Sequence, residues 1–250
     1  MGNSVSFLEK NLPLKALILC GGLGTRLNSV SKGMPKCMMK INGKFFLFFL
    51  LDLLISKGFK DIILCTGHGH KIIKKLVGDR YRSIQISYSK EENALGTGGA
   101  ILHALNLFND QKFFVLNGDS FCDFNGDLEV LSNNSNNFIF IHKVNDISRY
   151  GEVKINLADN SVSSFIEKKP SSRSGFINAG MYVFVRSVFQ NLKRGIFISL
   201  EAEILPNLVG NLKFILCNNG FIDIGTPNSL LESESFLAEH MSKKELTNER

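Results

Sequence analysis

The chain has 250 residues, 44% of them hydrophobic and 21% charged, a composition ordinary for a globular protein with a sizeable core. Its 29 lysines and arginines against 23 acids leave a formal charge of +6, which suits an anionic partner: nucleic acid, a membrane surface or a phosphorylated metabolite. There is no dense basic arm and no Trp, which argues against nucleic acid, and the most apolar stretch, 45–55, falls far short of the ~20 residues that span a bilayer.

Residues 1–13 read as a polar arm without the apolar core of a signal peptide. Gly2 and Ser6 fit a myristoylation pattern, but no basic cluster supplies the second signal that stable anchoring needs. From residue 14 the pattern changes. Leu14–Cys20 is a short apolar run stopped by Gly21-Gly22, the mark of a buried strand entering a turn. Asn42-Gly43 marks another turn. Phe45–Ser56 has helix length, with Gly58 as its stop. Strands are predicted at Asp61–Thr66, Ile84–Tyr88 and Phe113–Leu116, and helices at Lys71–Val77 and Thr97–Leu107. Strand and helix thus alternate from 14 to about 135. That alternation predicts an α/β fold with a Rossmann-like, doubly wound, mostly parallel mixed sheet, whose ligand site lies at the carboxyl ends of its strands.

The second half is richer in strands: Phe138–His142, Glu152–Ile155, Val162–Glu167, Asn178–Val185 and Leu212–Cys217. We read it as completion of the sheet plus an acceptor-binding lobe within a single domain. A last helix from Pro227 to about Met241 precedes a charged tail, 242–250, expected to be solvated. The five cysteines are odd in number and widely spaced. They indicate neither a zinc site nor a disulfide framework, and reduced thiols in a cytoplasmic protein are expected. The helix Phe45–Ser56 begins FFLFFLL and is apolar on every side, which predicts an outer face covered by another subunit and hence a homodimer.

Three clusters follow predicted strand ends. Gly21-Gly22-Leu23-Gly24-Thr25-Arg26-Leu27 lets backbone N–H groups approach an anion, and Arg26 adds a fork of donors matched to phosphate. It is neither a dinucleotide fingerprint, because Leu27 stands at the third glycine position, nor a Walker loop. Leu95-Gly96-Thr97-Gly98-Gly99-Ala100 and Asn117-Gly118-Asp119 are the others. Read alone, each is a turn with a surface polar group. The His68-Gly69-His70 pair reads as a polar strand-to-helix loop, since no third metal ligand is near in sequence.

Taken in order, these segments, Pro35-Lys36, Ser148-Arg149-Tyr150-Gly151, Phe165-Ile166-Glu167-Lys168, Ile177-Asn178-Ala179-Gly180 and Phe221-Ile222-Asp223-Ile224-Gly225-Thr226-Pro227 resemble the sugar-1-phosphate nucleotidyltransferases. The wording is most similar to the D-glycero-α-D-manno-heptose-1-phosphate guanylyltransferases. The resemblance spans 14–240, with a nucleotide-binding part at 14–135 and a sugar-phosphate-binding part at 136–240, and implies a GT-A-like nucleotidyltransferase fold.

It also implies roles. Gly21, Gly22, Gly24 and Thr25 line the nucleotide site with Arg26 and Lys36 on the triphosphate; Glu91, Gly96, Thr97 and Gly98 lie beside base and ribose. Asp119 and Asp223 hold Mg²⁺. Asn117, Tyr150, Gly151, Glu167, Asn178 and Gly180 shape the sugar pocket, and Lys168 meets the acceptor phosphate. The implied reaction joins a nucleoside triphosphate, GTP favoured, to a sugar 1-phosphate, making GDP-heptose for surface polysaccharide. Cys37 departs from the pattern, because relatives usually carry a second proline after Pro35-Lys36. A regulatory subunit would be expected to lack Arg26, Lys36, Asp119 or Asp223, and all four are present. A metal-dependent glycosyltransferase would carry a D-x-D pair, whereas Asp119 and Asp123 are four apart.

Overall fold

The computed structural model describes residues 15–22, 24, 27, 31, 33–124, 131, 134–166 and 172–248, with side chains through 242. Thr25, Arg26, Glu167, Lys168 and the polar arm 1–13 therefore lie outside the described residues.

The chain opens with strand β1 (Lys15–Leu19), then two short strands, β2 (Lys40–Ile41) and β3 (Lys44–Phe45), joined through Asn42-Gly43. Both turn residues have positive φ, 49° and 81°, as an Asn-Gly hairpin turn requires. Helix α1 (Phe46–Ser56), strand β4 (Asp61–Thr66), helix α2 (His70–Val77), strands β5 (Arg80–Tyr81) and β6 (Ile84–Lys90), helix α3 (Gly96–Ala104) and strand β7 (Lys112–Asn117) complete the alternating half. Strand β8 (Ser120–Cys122) follows, then β9 (Asn137–Val144), β10 (Glu152–Asn156), β11 (Ser161–Ile166), β12 (Gly175–Val185), β13 (Leu212–Leu216) and β14 (Phe221–Asp223). Helix α4 runs from Pro227 to Asn248, so most of the tail expected to be solvated continues the helix.

One ten-stranded sheet carries the molecule, in the order β10-β11-β13-β9-β12-β7-β1-β4-β6-β5. Parallel pairing holds β7-β1-β4-β6 together and recurs between β9 and β13. The other joints are antiparallel, so the sheet is more evenly mixed than the alternating half of the sequence implied. The chain leaves β1 toward β4 on one side and returns to β7 on the other, which makes the carboxyl end of β1 a topological switch point.

Alternate residues of the central strands feed two cores. Ala16, Ile18, Phe114 and Leu116 face one side, with α1 and the apolar stripe of α4; Leu17, Phe113 and Val115 face the other, with α3 and Ile198, Leu200 and Ile204. The outer face of α1 needs no second subunit. Phe46, Leu47, Phe49, Leu50, Leu51, Leu53 and Leu54 are all buried within this chain. Phe48 stacks on Tyr81 with centroids 4.7 Å apart, and Asp52 is paired with Lys44 and with Arg82 at 3.0 Å. Residues far apart in sequence cover the helix, so its composition gives no ground for a homodimer.

The expectation of five reduced thiols is also corrected. Cys122 at the end of β8 and Cys217 just after β13 form a disulfide, their Cα atoms 6.5 Å apart across 95 residues. Cys20, Cys37 and Cys65 are free and buried.

Candidate active site

A cavity of about 590 Å³ opens where β1, β4, β6 and β7 end, a size suited to a small-molecule substrate. Gly21, Gly22, Gly24, Lys36, Glu91, Gly96, Thr97, Asn117 and Asp119 all line it, and a Cβ on Gly24 would lie 3.3 Å from Lys36 Cβ. The segments that look unrelated along the chain therefore enclose one space.

Around Gly21 the wall is tight. A Cβ on Gly21 would stand 3.0 Å from Glu91 Oε1, so only glycine lets this carboxylate sit against the loop after β1. Glu91 accepts a hydrogen bond from the backbone N–H of Leu95 at 2.9 Å. Burial nevertheless pushes its carboxyl above the ordinary carboxylate value, the Leu95 N–H offsetting part of that rise. A half-buried carboxylate with spare lone pairs fits a ligand that brings N–H donors.

Around Lys36 three segments converge. Lys36 lies in a single helical turn, Lys36–Met38, which Cys37 and Met38 anchor by burial. The turn closes through Met38 N–H to Pro35 O at 2.8 Å, so it forms with a cysteine where relatives usually have proline. Lys36 Nζ donates to Asp119 Oδ2. β8 and β14 pair antiparallel with Ser120 opposite Asp223, and Ile224 N–H reaches Asp119 O at 2.9 Å. That two-stranded clip brings Asp119 and Asp223 together although 104 positions separate them. Ile222 packs on the core and Ile224 is fully buried, so Asp223 turns the other way, as the alternation of a strand requires.

Asp223 is held from several directions. Tyr150 Oη donates to its Oδ2, Arg149 lies 3.3 Å from the same oxygen, and Gly225 N–H donates to Oδ1 at 2.7 Å. Burial first, then the Asp223 carboxylate, raises the Tyr150 hydroxyl well above its ordinary pKa, so Tyr150 remains a donor. The structure thus places Tyr150 on the carboxylate assigned to metal, where the sequence had it shaping the sugar pocket.

The acceptor side is built around a break in β12. Its pairing with β9 shifts between Asn178 and Tyr182, and Gly180 takes φ 74°. A Cβ on Gly180 would come within 2.8 Å of Asn117 Nδ2. Asn178 Oδ1 accepts from Gly180 N–H at 2.9 Å while its Nδ2 donates to Tyr182 Oη at 2.6 Å. Asn117 Oδ1 is buried without a hydrogen-bond partner among the described residues, an acceptor that a ligand hydroxyl would satisfy. Gly151 stands apart, exposed at the start of β10.

Gly98 is not on the cavity wall. Its N–H donates to Ile198 O at 2.9 Å, and a Cβ there would meet Ile204 Cδ1 at 2.7 Å; it lets a later segment lie on α3. His70 bonds Thr66 Oγ1 at 2.9 Å, and among the described residues no three His, Cys, Asp or Glu side chains form a metal cluster. No described helix is long and apolar enough to cross a membrane. Sequence reasoning missed Phe197, which lines the cavity, and Arg149, which lies on Asp223. Phe197 belongs to a segment no strand end announces, though Arg149 was inside a quoted motif.

Comparison with known proteins bears on all of this. Residues 15–240 match the family described as Nucleotidyl transferase. The chain is 39% identical over 217 residues to a D-glycero-alpha-D-manno-heptose 1-phosphate guanylyltransferase of Campylobacter jejuni, covering 86% of this chain and 96% of that protein. It is 33% identical over 235 residues to the enzyme of that name from Aneurinibacillus thermoaerophilus, covering 91% and 100%. Among solved structures it is similar to HddC from Yersinia pseudotuberculosis complexed with GMP-PN, with TM-score 0.79, 34% identity and coverage of 90% of this chain and 99% of that one.

Proposed function

This chain belongs to the nucleotidyl transferase family, and we propose that it joins GTP to D-glycero-α-D-manno-heptose 1-phosphate, releasing pyrophosphate and GDP-heptose in a Mg²⁺-dependent reaction. The observation that carries this is the convergence of Lys36, Asp119 and Asp223, the first two lining a cavity that Glu91 also lines. The heptose-1-phosphate guanylyltransferase relatives support the choice of substrates.

In this reading an oxygen of the sugar phosphate attacks the α-phosphorus of GTP. A P–O bond forms there as the bond to the departing pyrophosphate breaks. The phosphate is already anionic near neutral pH, with a second pKa of about 6, so no side chain has to remove a proton. What the chain must provide is alignment and offset of clustered negative charge. Lys36 supplies a cation beside Asp119. Gly21, Gly22 and Gly24 line the same cavity, where bare backbone admits phosphate oxygens closely. Glu91 accepts from guanine, whose ring N–H and amino group face the same way. Asn117 and Asn178 meet sugar hydroxyls.

The residues fit a hard divalent cation. Asp119 and Asp223 are oxygen donors brought side by side, and each is already balanced by a positive or proton-donating group of the chain: Lys36 on Asp119, Arg149 and Tyr150 on Asp223. Mg²⁺ held there would offset charge on the phosphates. The product is an activated sugar of the kind used in surface polysaccharide assembly in the cytoplasm. Arg26, Lys168 and Glu167 keep the roles that the resemblance implies.

The test is a matrix of purified protein, Mg²⁺, GTP, UTP, CTP and dTTP, with several sugar 1-phosphates, read as pyrophosphate release. Release should be greatest with GTP and the heptose 1-phosphate. Silence across the matrix sinks the enzyme reading; a preference for mannose 1-phosphate or for another base reassigns the substrate.

A further inference from the structure

Between β12 and β13 the chain passes over the head of α3, and one residue, Leu95, ties it there to Glu91. Leu95 N–H donates to Glu91 Oε2 at 2.9 Å, and Leu95 O accepts from Ile198 N–H at 2.8 Å. Ile198 O in turn accepts from the N–H groups of Gly98 and Gly99 at 2.9 and 3.2 Å. Farther on, Leu200 N–H donates to Thr97 Oγ1 at 2.8 Å; upstream, Arg194 Nη1 donates to Leu102 O at 3.4 Å. The segment is thus held to α3 on both sides of residue 197, and its central tie shares Leu95 with the carboxylate proposed to receive the base.

Phe197 stands on this frame, in the cavity wall and 64% exposed. A Cβ on Gly96 would lie 3.1 Å from its Cε2 and 2.5 Å from Ile198 O, so an edge of the ring rests on the bare glycine at the head of α3. A lone exposed Phe on a free surface needs no explanation. This one lines the ligand cavity, and the bonds of its neighbours keep it there. Those bonds also say which part of the ligand it meets. Glu91 follows β6 and Gly96 opens the next helix, whereas Asn117 ends β7, with β4 and β1 between the two strands. Phe197 therefore belongs to the Glu91 side of the cavity. A purine with its N–H groups on Glu91 turns its flat faces to whatever flanks that carboxylate, and an aromatic ring stacks on a base whatever the base's edges carry.

We propose that Phe197 is a nucleotide-binding residue, its ring packing on the face of the purine whose edge meets Glu91. Glu91 reads the donors on the base, and the ring adds stacking over an area that no pyrimidine matches. This inference deepens the triphosphate reading above and rests on it. It also gives Gly96 a purpose, since any side chain there would lift Ile198 and the ring off α3.

The experiment joins steady-state kinetics on F197A, F197L and F197Y, with triphosphate and sugar 1-phosphate varied in turn, to a fluorescence titration of F197W. F197A should raise KM for the triphosphate roughly tenfold and leave KM for the sugar 1-phosphate within about twofold. F197Y should keep the triphosphate KM, because it retains the ring, and F197L should fall between. The chain has no Trp, so the indole of F197W is its one tryptophan fluorophore. GTP with Mg²⁺ should quench it saturably, and the sugar 1-phosphate alone should leave it unchanged. Thermal unfolding close to that of the unmodified chain should accompany all four variants; if F197A fails to fold, F197L and F197W decide. A sugar KM that rises as much as the triphosphate's, no change in either, or quenching by the sugar 1-phosphate alone overturns the proposal. Silence of the unmodified enzyme in the pyrophosphate assay would overturn the proposed reaction, and the F197W titration with GTP would still decide this inference. Unmoved constants in an active F197A overturn this inference alone.

Discussion

In the parallel half of the sheet, Gly21, His68, Glu91 and Asp119 each follow a strand end by one or two residues. In the antiparallel half the candidate groups sit at irregularities: Asn178 and Gly180 at the break in β12, Tyr150 in the turn before β10, and Asp223 on a three-residue strand outside the main sheet. The first arrangement needs little from the rest of the chain. Parallel strands stop in step, and whatever follows them faces one crevice. The second depends on partners brought from far away, such as Asn117 under Gly180 and Tyr150 on Asp223. Substitutions in the parallel half should therefore change chemistry and leave the fold intact, while those in the antiparallel half should also disturb placement.

The largest effect should come from Asp119→Asn. It removes the charge that Lys36 faces and one of the two carboxylates proposed for Mg²⁺, at a position with a side chain 35% exposed. We expect kcat to fall about a thousandfold or more, the scale of losing a transition-state charge contact, with an unfolding midpoint near that of the unmodified protein. Turnover within tenfold of normal would show that the parallel half does not hold the reacting centre where we place it.

Gly96→Ala tests the joint between the halves. Gly96 has φ 72°, and an added Cβ would press on Ile198 O at 2.5 Å. Strain and collision together should cost roughly 2–3 kcal/mol of stability, read as a lower midpoint in urea. An unchanged midpoint would mean that the segment around Ile198 can shift freely.

Tyr150→Phe addresses the antiparallel half alone. It deletes the donor to Asp223 but keeps the ring beside Phe221, whose centroid is 6.0 Å away. Arg149 and Gly225 still hold the carboxylate, so kcat should fall only about tenfold, and the apparent Mg²⁺ requirement should rise. A larger change in the sugar KM than in the Mg²⁺ requirement would return Tyr150 to the sugar pocket.

This contrast also explains what was legible in the residues. β1, β4, β6 and β7 and the groups at their ends could be read because an apolar run followed by glycine or an acid is a local signal. The β8–β14 clip was not read as structure. Two three-residue strands carry too short a pattern, and Asp223 was singled out only through the resemblance carried by Phe221–Pro227. The cover on α1 and the Cys122–Cys217 link were missed for one reason: both join segments that nothing local connects. Phe197 was invisible because an exposed Phe in a loop looks like surface until α3 lies beneath it.

The smallest effect, and the one that separates function from stability within the parallel half, is expected for Glu91→Gln. Burial holds the Glu91 carboxyl above its ordinary pKa. The sign follows from linkage: the folded protein binds this proton more tightly than the unfolded chain. The favourable contribution is therefore complete below the usual carboxylate range and is lost as pH rises through the raised folded value. At neutral pH the charged Glu91 costs stability, and the amide should raise the unfolding midpoint, an advantage that fades as the medium is made acid. Binding should move the opposite way. If the carboxylate receives guanine's two donors, E91Q keeps one acceptor and loses the charge, raising KM for GTP by roughly fivefold to tenfold. The unmodified enzyme should lose GTP affinity as pH falls through that raised value, and the amide variant should show no such step. A variant more stable at pH 7, weaker for GTP and flat with pH would show a group kept for recognition at the expense of the fold. Unaltered GTP affinity in E91Q would instead mean that the base is read by backbone alone.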